Sequence, residues 1–156
     1  KRISSHFTLH RYDPVLHFVH PHLGIDFAAH YGTPIHSIGD GKIIYRGKKG
    51  GYGNAIIIRY NKKYKALYAH MSKFAKKQHT GQAVKKGQVI GYVGSSGWST
   101  GPHLHFSLYV YGIPRDPLKM KLIGGKVVPK NYLADFKKKA ATLLDKLKFY
   151  EKNKRE

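Results

Sequence analysis

The sequence predicts a mostly β domain, an antiparallel sheet or barrel-like core, followed by one amphipathic helix at its C-terminal end. Three observations predict it. Between about residues 25 and 115, short runs of β-branched and aromatic residues alternate with glycine turns. After Pro117 the rhythm changes to apolar residues at helical spacing. A chain of 156 residues with 41% hydrophobic content can bury one sizeable core but is short for two. The expected organisation is a lead-in over residues 1–20, a core over 21–118 and a basic helical extension over 119–156.

The lead-in reads as irregular and aromatic. "IDFAA" at 25–29 reads as entry into a strand, and "TPIHSI", "GKIIYRG", "NAIIIRY", "YKALYAH", "QVIGYVG" and "HLHFSLYVYG" read as the strands that follow. "GDG" at 39–41 and "RYNKKYKALY" at 59–68 read as hairpin turns between paired strands. In the tail, Leu133, Phe136, Ala140, Leu143, Leu147 and Tyr150 fall on one stripe of a helix that Asn131 can cap, and the stripe is expected to pack back on the domain.

No run of about 18 apolar residues is present, so no helix is expected to span a membrane. The chain begins "KRISSHF" without methionine or a visible signal peptide, and reads as a mature form or an excised piece of something longer. Cysteine is absent, which removes disulfides and thiolate ligands and leaves histidine and aspartate to hold any metal. Lys and Arg outnumber Asp and Glu 29 to 8, a net charge of +21 that draws the chain towards polyanions.

The acids narrow the chemistry. Glu151 and Glu156 lie in the charged tail and Asp135 and Asp145 on the terminal helix. Asp13 and Asp116 precede prolines and Asp40 stands between glycines, so these three read as turn formers. Asp26 alone is embedded in apolar sequence, where a carboxylate is costly unless hydrogen-bonded, paired or bound to a metal. It stands four residues after His22 in "HLGID". Pro21 and Gly24 make this stretch a poor helix, and an extended strand would set the two residues about 13 Å apart. They can work together only if the chain folds back, and Gly24 is the residue expected to permit the bend.

Of eleven histidines, His6, His10, His17, His20, His30 and His79 read as surface or ordinary hydrogen-bonded residues, and His36 as a strand position. "HLHF" is different, because on a strand His103 and His105 project from one face while Leu104 and Phe106 point to the core. Two histidines and a carboxylate make a zinc set with a fourth position open for water, whose pKa zinc lowers towards neutrality. With no glutamate in the body of the chain, the base must be a histidine: whichever of His103 and His105 is not a ligand, or His70 in "LYAHM". Spacing alone does not separate His103 from His105.

"HLGIDFAAHYGTPIHSIGDGKI", "GYGNAIII", "YAHM" and "VKKGQVIGYVGSSGWSTGPHLHF", in this order from about His22 to Asp116, resemble the lysostaphin/LytM-type zinc metallopeptidases that cleave peptides of bacterial peptidoglycan. The resemblance implies a compact, mostly antiparallel β core with a groove between loops. It implies one zinc ion held by His22, Asp26 and His105, with His70 and His103 as the catalytic pair and His103 favoured as base. "GSSGWSTG" would form a groove wall, with Ser99 and Thr100 as substrate contacts. The flanks resemble the cell-shape endopeptidases of curved and helical Gram-negative bacteria, which cut the D-alanine to diaminopimelate cross-link and in some cases trim terminal D-alanine. The expected setting is the periplasm or cell envelope, with peptidoglycan as substrate, an anionic envelope as partner, no nucleic acid partner, and a monomer.

Two rivals remain at this level: an inactive wall-binding or activator domain of the same fold, and a basic nucleic-acid-binding β domain. The first is disfavoured because all five site residues are present. The second rests on charge, and would need aromatic and basic residues interleaved on an exposed sheet, for which "GKIIYRGKKGGYG" is the nearest match.

Overall fold

Among the described residues every strand pairing is antiparallel, as the alternating runs predict. The computed structural model describes residues 2–13, 18–120 and 130–153. The chain divides into two compact units, Lys1–Met120 and Lys121–Glu156.

The first unit contains β1 (Ile3–Ser5), β2 (Thr8–Asp13), β3 (Phe18–His22), β4 (Ile25–Ala28), β5 (Pro34–His36), β6 (Gly41–Lys48), β7 (Asn54–Arg59), β8 (Tyr64–Ala69), β9 (Met71–Phe74), β10 (Ala83–Val84), β11 (Val89–Val93), β12 (His103–Val110) and β13 (Ile113–Arg115). One eight-stranded sheet runs in the order β1-β4-β12-β8-β7-β6-β10, with β13 also pairing β12. A second sheet is β5-β11-β9, and β2-β3 form a separate hairpin. The large sheet is open, with β1 and β10 at its ends.

Burial alternates with the pleat. On β12, Phe106 and Leu108 enter the main core, together with Ile43, Ile56, Ile58, Ala66 and Tyr68 from the neighbouring strands of the large sheet. Ile35, Met71, Ile90 and Val93 complete the same cluster from the small sheet. One face of the large sheet is thus closed by the small one. The opposite face carries a smaller cluster of Ala55, Leu67 and Ala69 under Tyr45, Tyr52, Ile57 and Tyr109, and the odd-numbered residues of β12.

Several expectations need correction. The lead-in is not irregular: β1 pairs β4, and β2 pairs β3 through Thr8↔His22 and Arg11↔His20. Pro21 and the polar histidines obscure the alternation that would have marked this hairpin. "GDG" turns the chain between β5 and β6, which do not pair with each other. Asp40 there instead accepts from the Lys86 backbone N–H at 2.7 Å. The β7–β8 hairpin does form, with Asn61 Oδ1 accepting from the backbone of Lys63 and Tyr64 at 2.8 Å each. Asp116 closes a turn as expected, accepting from the Leu118 backbone at 3.0 Å. The side chain of Asp13 lies outside the described residues.

The second unit holds α1 (Leu133–Asn153), the helix that the tail predicts. Asn131 lies inside a 3-10 turn, Lys130–Tyr132, that leads into it, so the helix starts beyond the expected cap. Leu133, Phe136 and Leu143 of its apolar stripe are solvent-exposed. The side chains of Leu147 and Tyr150 lie outside the described residues.

Candidate metal centre and active site

Three elements bring His22, Asp26 and His105 together. His22 ends β3, Asp26 lies in β4, and β12 pairs with β4 so that His105 stands directly opposite Asp26. The two residues of the break, Leu23 and Gly24, separate β3 from β4 and provide the fold-back that the "HLGID" spacing demands. The role of Gly24 differs from the expected one. Its backbone is not in the left-handed region, and what it supplies is space. A Cβ there would lie 2.6 Å from the Phe106 carbonyl oxygen and 2.7 Å from the His105 ring.

The three side chains are buried and their donor atoms converge. His105 Nδ1 is 2.8 Å from Asp26 Oδ1, His22 Nε2 is 3.2 Å from the same oxygen, and the two nitrogens are 3.1 Å apart. The backs of the rings set the protons. His22 Nδ1 lies 2.8 Å from the His6 carbonyl, which only accepts, so this nitrogen carries the hydrogen and Nε2 presents a lone pair. His105 Nε2 is bonded to the buried Ser107 hydroxyl at 2.9 Å, and a donating Nε2–H leaves Nδ1 a lone pair as well. Two imidazole lone pairs and a carboxylate oxygen then face one point, an arrangement that repels itself unless a cation sits there.

The donor set fits zinc. Bonds of about 2.0–2.2 Å in a tetrahedron place ligand atoms about 3.3–3.6 Å apart. The donors, at 2.8, 3.1 and 3.2 Å, lie closer than this and would open by about 0.1–0.5 Å to reach the short end of that range. Without an ion, protons fill the role. Burial alone would lower the basicity of His22, but the hydrogen bond to Asp26 and the His6 carbonyl outweigh it and raise its pKa above the usual imidazole value. Burial alone would raise that of Asp26, but hydrogen bonds from His105 and His22 hold the carboxyl well below the usual carboxylate range.

His70 and His103 stand beside this set, their ring centroids 4.6 Å apart. His103 Nδ1 donates to the Gly101 carbonyl at 2.8 Å, so Nε2 is an open acceptor, 3.9 Å from Asp26 Oδ1. His70 Nδ1 donates to the Ser96 carbonyl at 2.7 Å, leaving its Nε2 open too. Burial pushes the pKa of His70 below the usual imidazole value and so favours the neutral ring, outweighing the hydrogen bond to the Ser96 carbonyl, which acts in the opposite direction. Its backbone sits at φ 57°, a strained value for a non-glycine residue, held by its N–H donating to the Tyr52 carbonyl at 2.9 Å.

The "GSSGWSTG" loop underpins both rings. Ser99 Oγ bonds the Gly101 carbonyl at 2.8 Å and lies 3.3 Å from His103 Nδ1, so this hydroxyl faces into the loop. Thr100 is exposed. Gly97, at φ 76°, lets the loop backbone approach residues 51–53, where a Cβ would lie 2.4 Å from the Gly51 carbonyl oxygen. His6, His10, His20, His30, His36 and His79 contribute no ring to the cluster, and His36 instead donates to the Gly87 carbonyl at 2.8 Å. His17 lies outside the described residues. Sequence reasoning missed Ser107 and the carbonyls of His6 and Ser96. The same period-2 rule that pairs His103 with His105 reaches Ser107, whereas a backbone carbonyl leaves no trace in residue type.

Residues 20–117 match Peptidase family M23. The chain is 44% identical over 149 residues to the DD-carboxypeptidase/endopeptidase Mpg of Neisseria meningitidis, a match covering 94% of this chain and 34% of that protein. It spans about a third of the length of the curated relatives it matches. Among solved structures, a zinc containing peptidase from Vibrio cholerae aligns with TM-score 0.73 and 43% identity over 78% of this chain and 37% of that one. The catalytic domain of the antimicrobial peptidase lysostaphin from Staphylococcus simulans aligns with TM-score 0.65 and 33% identity, over 75% of this chain and 89% of that one. The matched span contains His22, Asp26, His70, His103 and His105, and the chain belongs to Peptidase family M23, with the lysostaphin/LytM-type fold.

Proposed function

We propose that the chain is a zinc-dependent peptidase that hydrolyses peptide bonds of bacterial cell-wall peptidoglycan, working in the periplasm or cell envelope. The observation that carries this reading is the convergence of His22 Nε2, Asp26 Oδ1 and His105 Nδ1 within 3.2 Å of one another. In this reading those atoms hold one zinc ion. When bound, the ion supplies Lewis-acid activation of water and of a peptide carbonyl at neutral pH.

The chain's own side chains handle the protons. His103, whose open Nε2 is close to Asp26, accepts a proton at that atom. His70 faces it and, once protonated at Nε2, hydrogen-bonds the developing oxyanion or hands a proton to the leaving amine. Burial makes the protonated ring of His70 costly and so readily discharged. Ser96 and Gly101 fix both rings through Nδ1, so neither has to reorient during the reaction.

For the bond that is cut, the reading is the D-alanine to diaminopimelate cross-link, with removal of terminal D-alanine as a second activity. It is supported by the flanking resemblance and by relatives named DD-carboxypeptidase/endopeptidase and peptidoglycan DD-endopeptidase. Mass spectrometry of products from purified, defined muropeptides, with and without chelator, tests it. Cross-linked dimers should yield monomers only when metal is present. Intact dimers in both samples would refute the reading.

A further inference from the structure

The large sheet carries a row of cations in register on the same face as the metal donors. Lys42 on β6 stands opposite Arg59 on β7, Arg59 opposite Lys65 on β8, and Lys65 opposite Tyr109 on β12. The next positions along, Ile43, Ile58, Ala66 and Leu108, are buried in the main core, which fixes the row on the opposite face. That is the face of His103, His105 and Ser107, since Tyr109 lies an even number of residues beyond them on an unbroken strand.

Such a row is unfavourable in isolation. Neighbouring strands are about 4.8 Å apart, and like charges directly opposite one another destabilise a sheet. Among the described residues no carboxylate pairs with Lys42, Arg59 or Lys65. Lys65 Nζ has only the Tyr109 ring beneath it, 5.1 Å from the centroid. Between the row and the donors lies a shelf of Tyr45, Tyr52 and Ile57 over the buried Leu67, and Tyr109 stands at the end of the row beside Lys65. Four residues of β12 separate His105 from Tyr109, about 13 Å at the rise of a strand. A ligand lying along the sheet from the donors therefore crosses aromatic surface and then meets three unpaired cations.

We propose that Lys42, Arg59 and Lys65 form a docking strip for the carboxylates of a peptide stem beyond the bond that is cut. The inference rests on the reading of the site as a peptidoglycan peptidase and extends its recognition to a row about 13 Å from His105 along the strands and one to three strands across from β12. The strip shares a face with the donors, so one carboxylate-bearing peptide can reach both. A nucleic acid on the same surface would bring no peptide bond to the donors.

The test compares wild-type protein with the Lys42→Gln, Arg59→Gln, Lys65→Gln triple variant, using the full chain. Binding is followed by fluorescence anisotropy under chelator, with a labelled cross-linked muropeptide dimer that has free stem carboxylates and the same dimer with those carboxylates amidated. Wild type should bind the carboxylate form about tenfold more tightly, three exposed ion pairs each contributing roughly a factor of two. The variant should bind both forms alike, with a weaker salt dependence. Its kcat on a short peptide should stay within about twofold of wild type, and its Tm should be unchanged or higher because the repulsion is gone. Retained discrimination between the two dimers would overturn the proposal. So would equal weakening towards both dimers with a lower Tm, or weakened binding of a single-stranded oligonucleotide with carboxylate discrimination intact. Absence of cleavage by wild type would count against the proposed function alone, since the binding comparison involves no turnover.

Discussion

The orientation of each ring at the site is decided at its back. Four histidines, His22, His70, His103 and His105, have one nitrogen tied to a fixed partner and the other turned inward. In the proposed function this division separates holding the metal, by His22 and His105, from proton transfer, by His70 and His103. His103→Ala and His70→Ala should each leave zinc bound while lowering turnover about 100-fold or more, the scale of acid–base residues, as read by parallel metal analysis and kinetics. Loss of zinc in either variant, or near-normal rates, would contradict the division. A second prediction concerns pH. Because the pKa of metal-free His22 is raised, a proton competes with zinc for Nε2 from a pH above the usual imidazole value of about 6.5 downward. Asp26 stays ionised over the same range and contributes no proton. Zinc affinity, measured by competition with a chelator, should therefore fall by at least about tenfold per pH unit below that point. A flat affinity down to pH of about 5.5 would show that His22 is not a ligand. Residue identities made much of this legible: the isolated buried Asp26 and the alternating "HLH" pointed to the donors, and only the resemblance separated His103 from His105. The tautomers were not legible, because they depend on carbonyls that any residue supplies.

Elements deliver these residues. The β4–β12 register sets Asp26 opposite His105, and the break at Leu23 and Gly24 swings His22 alongside. Gly24→Ala tests this packing. The added Cβ would meet both the Phe106 carbonyl oxygen and the His105 ring, so the ring must shift. The expected outcome is a folded protein destabilised by about 1–3 kcal/mol, the usual cost of overpacking. Its zinc affinity should drop at least about tenfold, the scale seen when a ligand's supports are disturbed. Unchanged affinity by calorimetry would mean that the ring tolerates the contact. Strands long enough to show alternation, β6, β7, β8 and β12, were readable from the sequence. β1, β10 and β13 span two or three residues, too few for a period to emerge. The β2–β3 hairpin was hidden by polar histidines and Pro21, and the strained backbone of His70 by having no residue-type signature.

For the molecule as a whole, the proposed function rests on charge and metal together. A surplus of 21 positive charges favours encounter with the carboxylates and phosphates of an envelope, and screening confines that attraction to about 8 Å at physiological salt. The terminal segment, residues 131–156, carries 8 of the 29 basic residues and 4 of the 8 acids, a net +4 of the +21, in "FKKKAA" and "LDKLKFYEKNKRE", and none of the proposed chemistry. Removing residues 131–156 should weaken binding to whole sacculi and reduce its salt dependence, while cleavage of a small soluble muropeptide is retained. A folded truncated protein that binds sacculi as before would show that the tail is no tether. The central claim, that His22, Asp26 and His105 hold one zinc ion, is tested most directly by metal content of the purified protein. Wild type should carry one zinc per chain, and Asp26→Ala, folded by circular dichroism, should carry almost none. Full occupancy in Asp26→Ala would contradict the account.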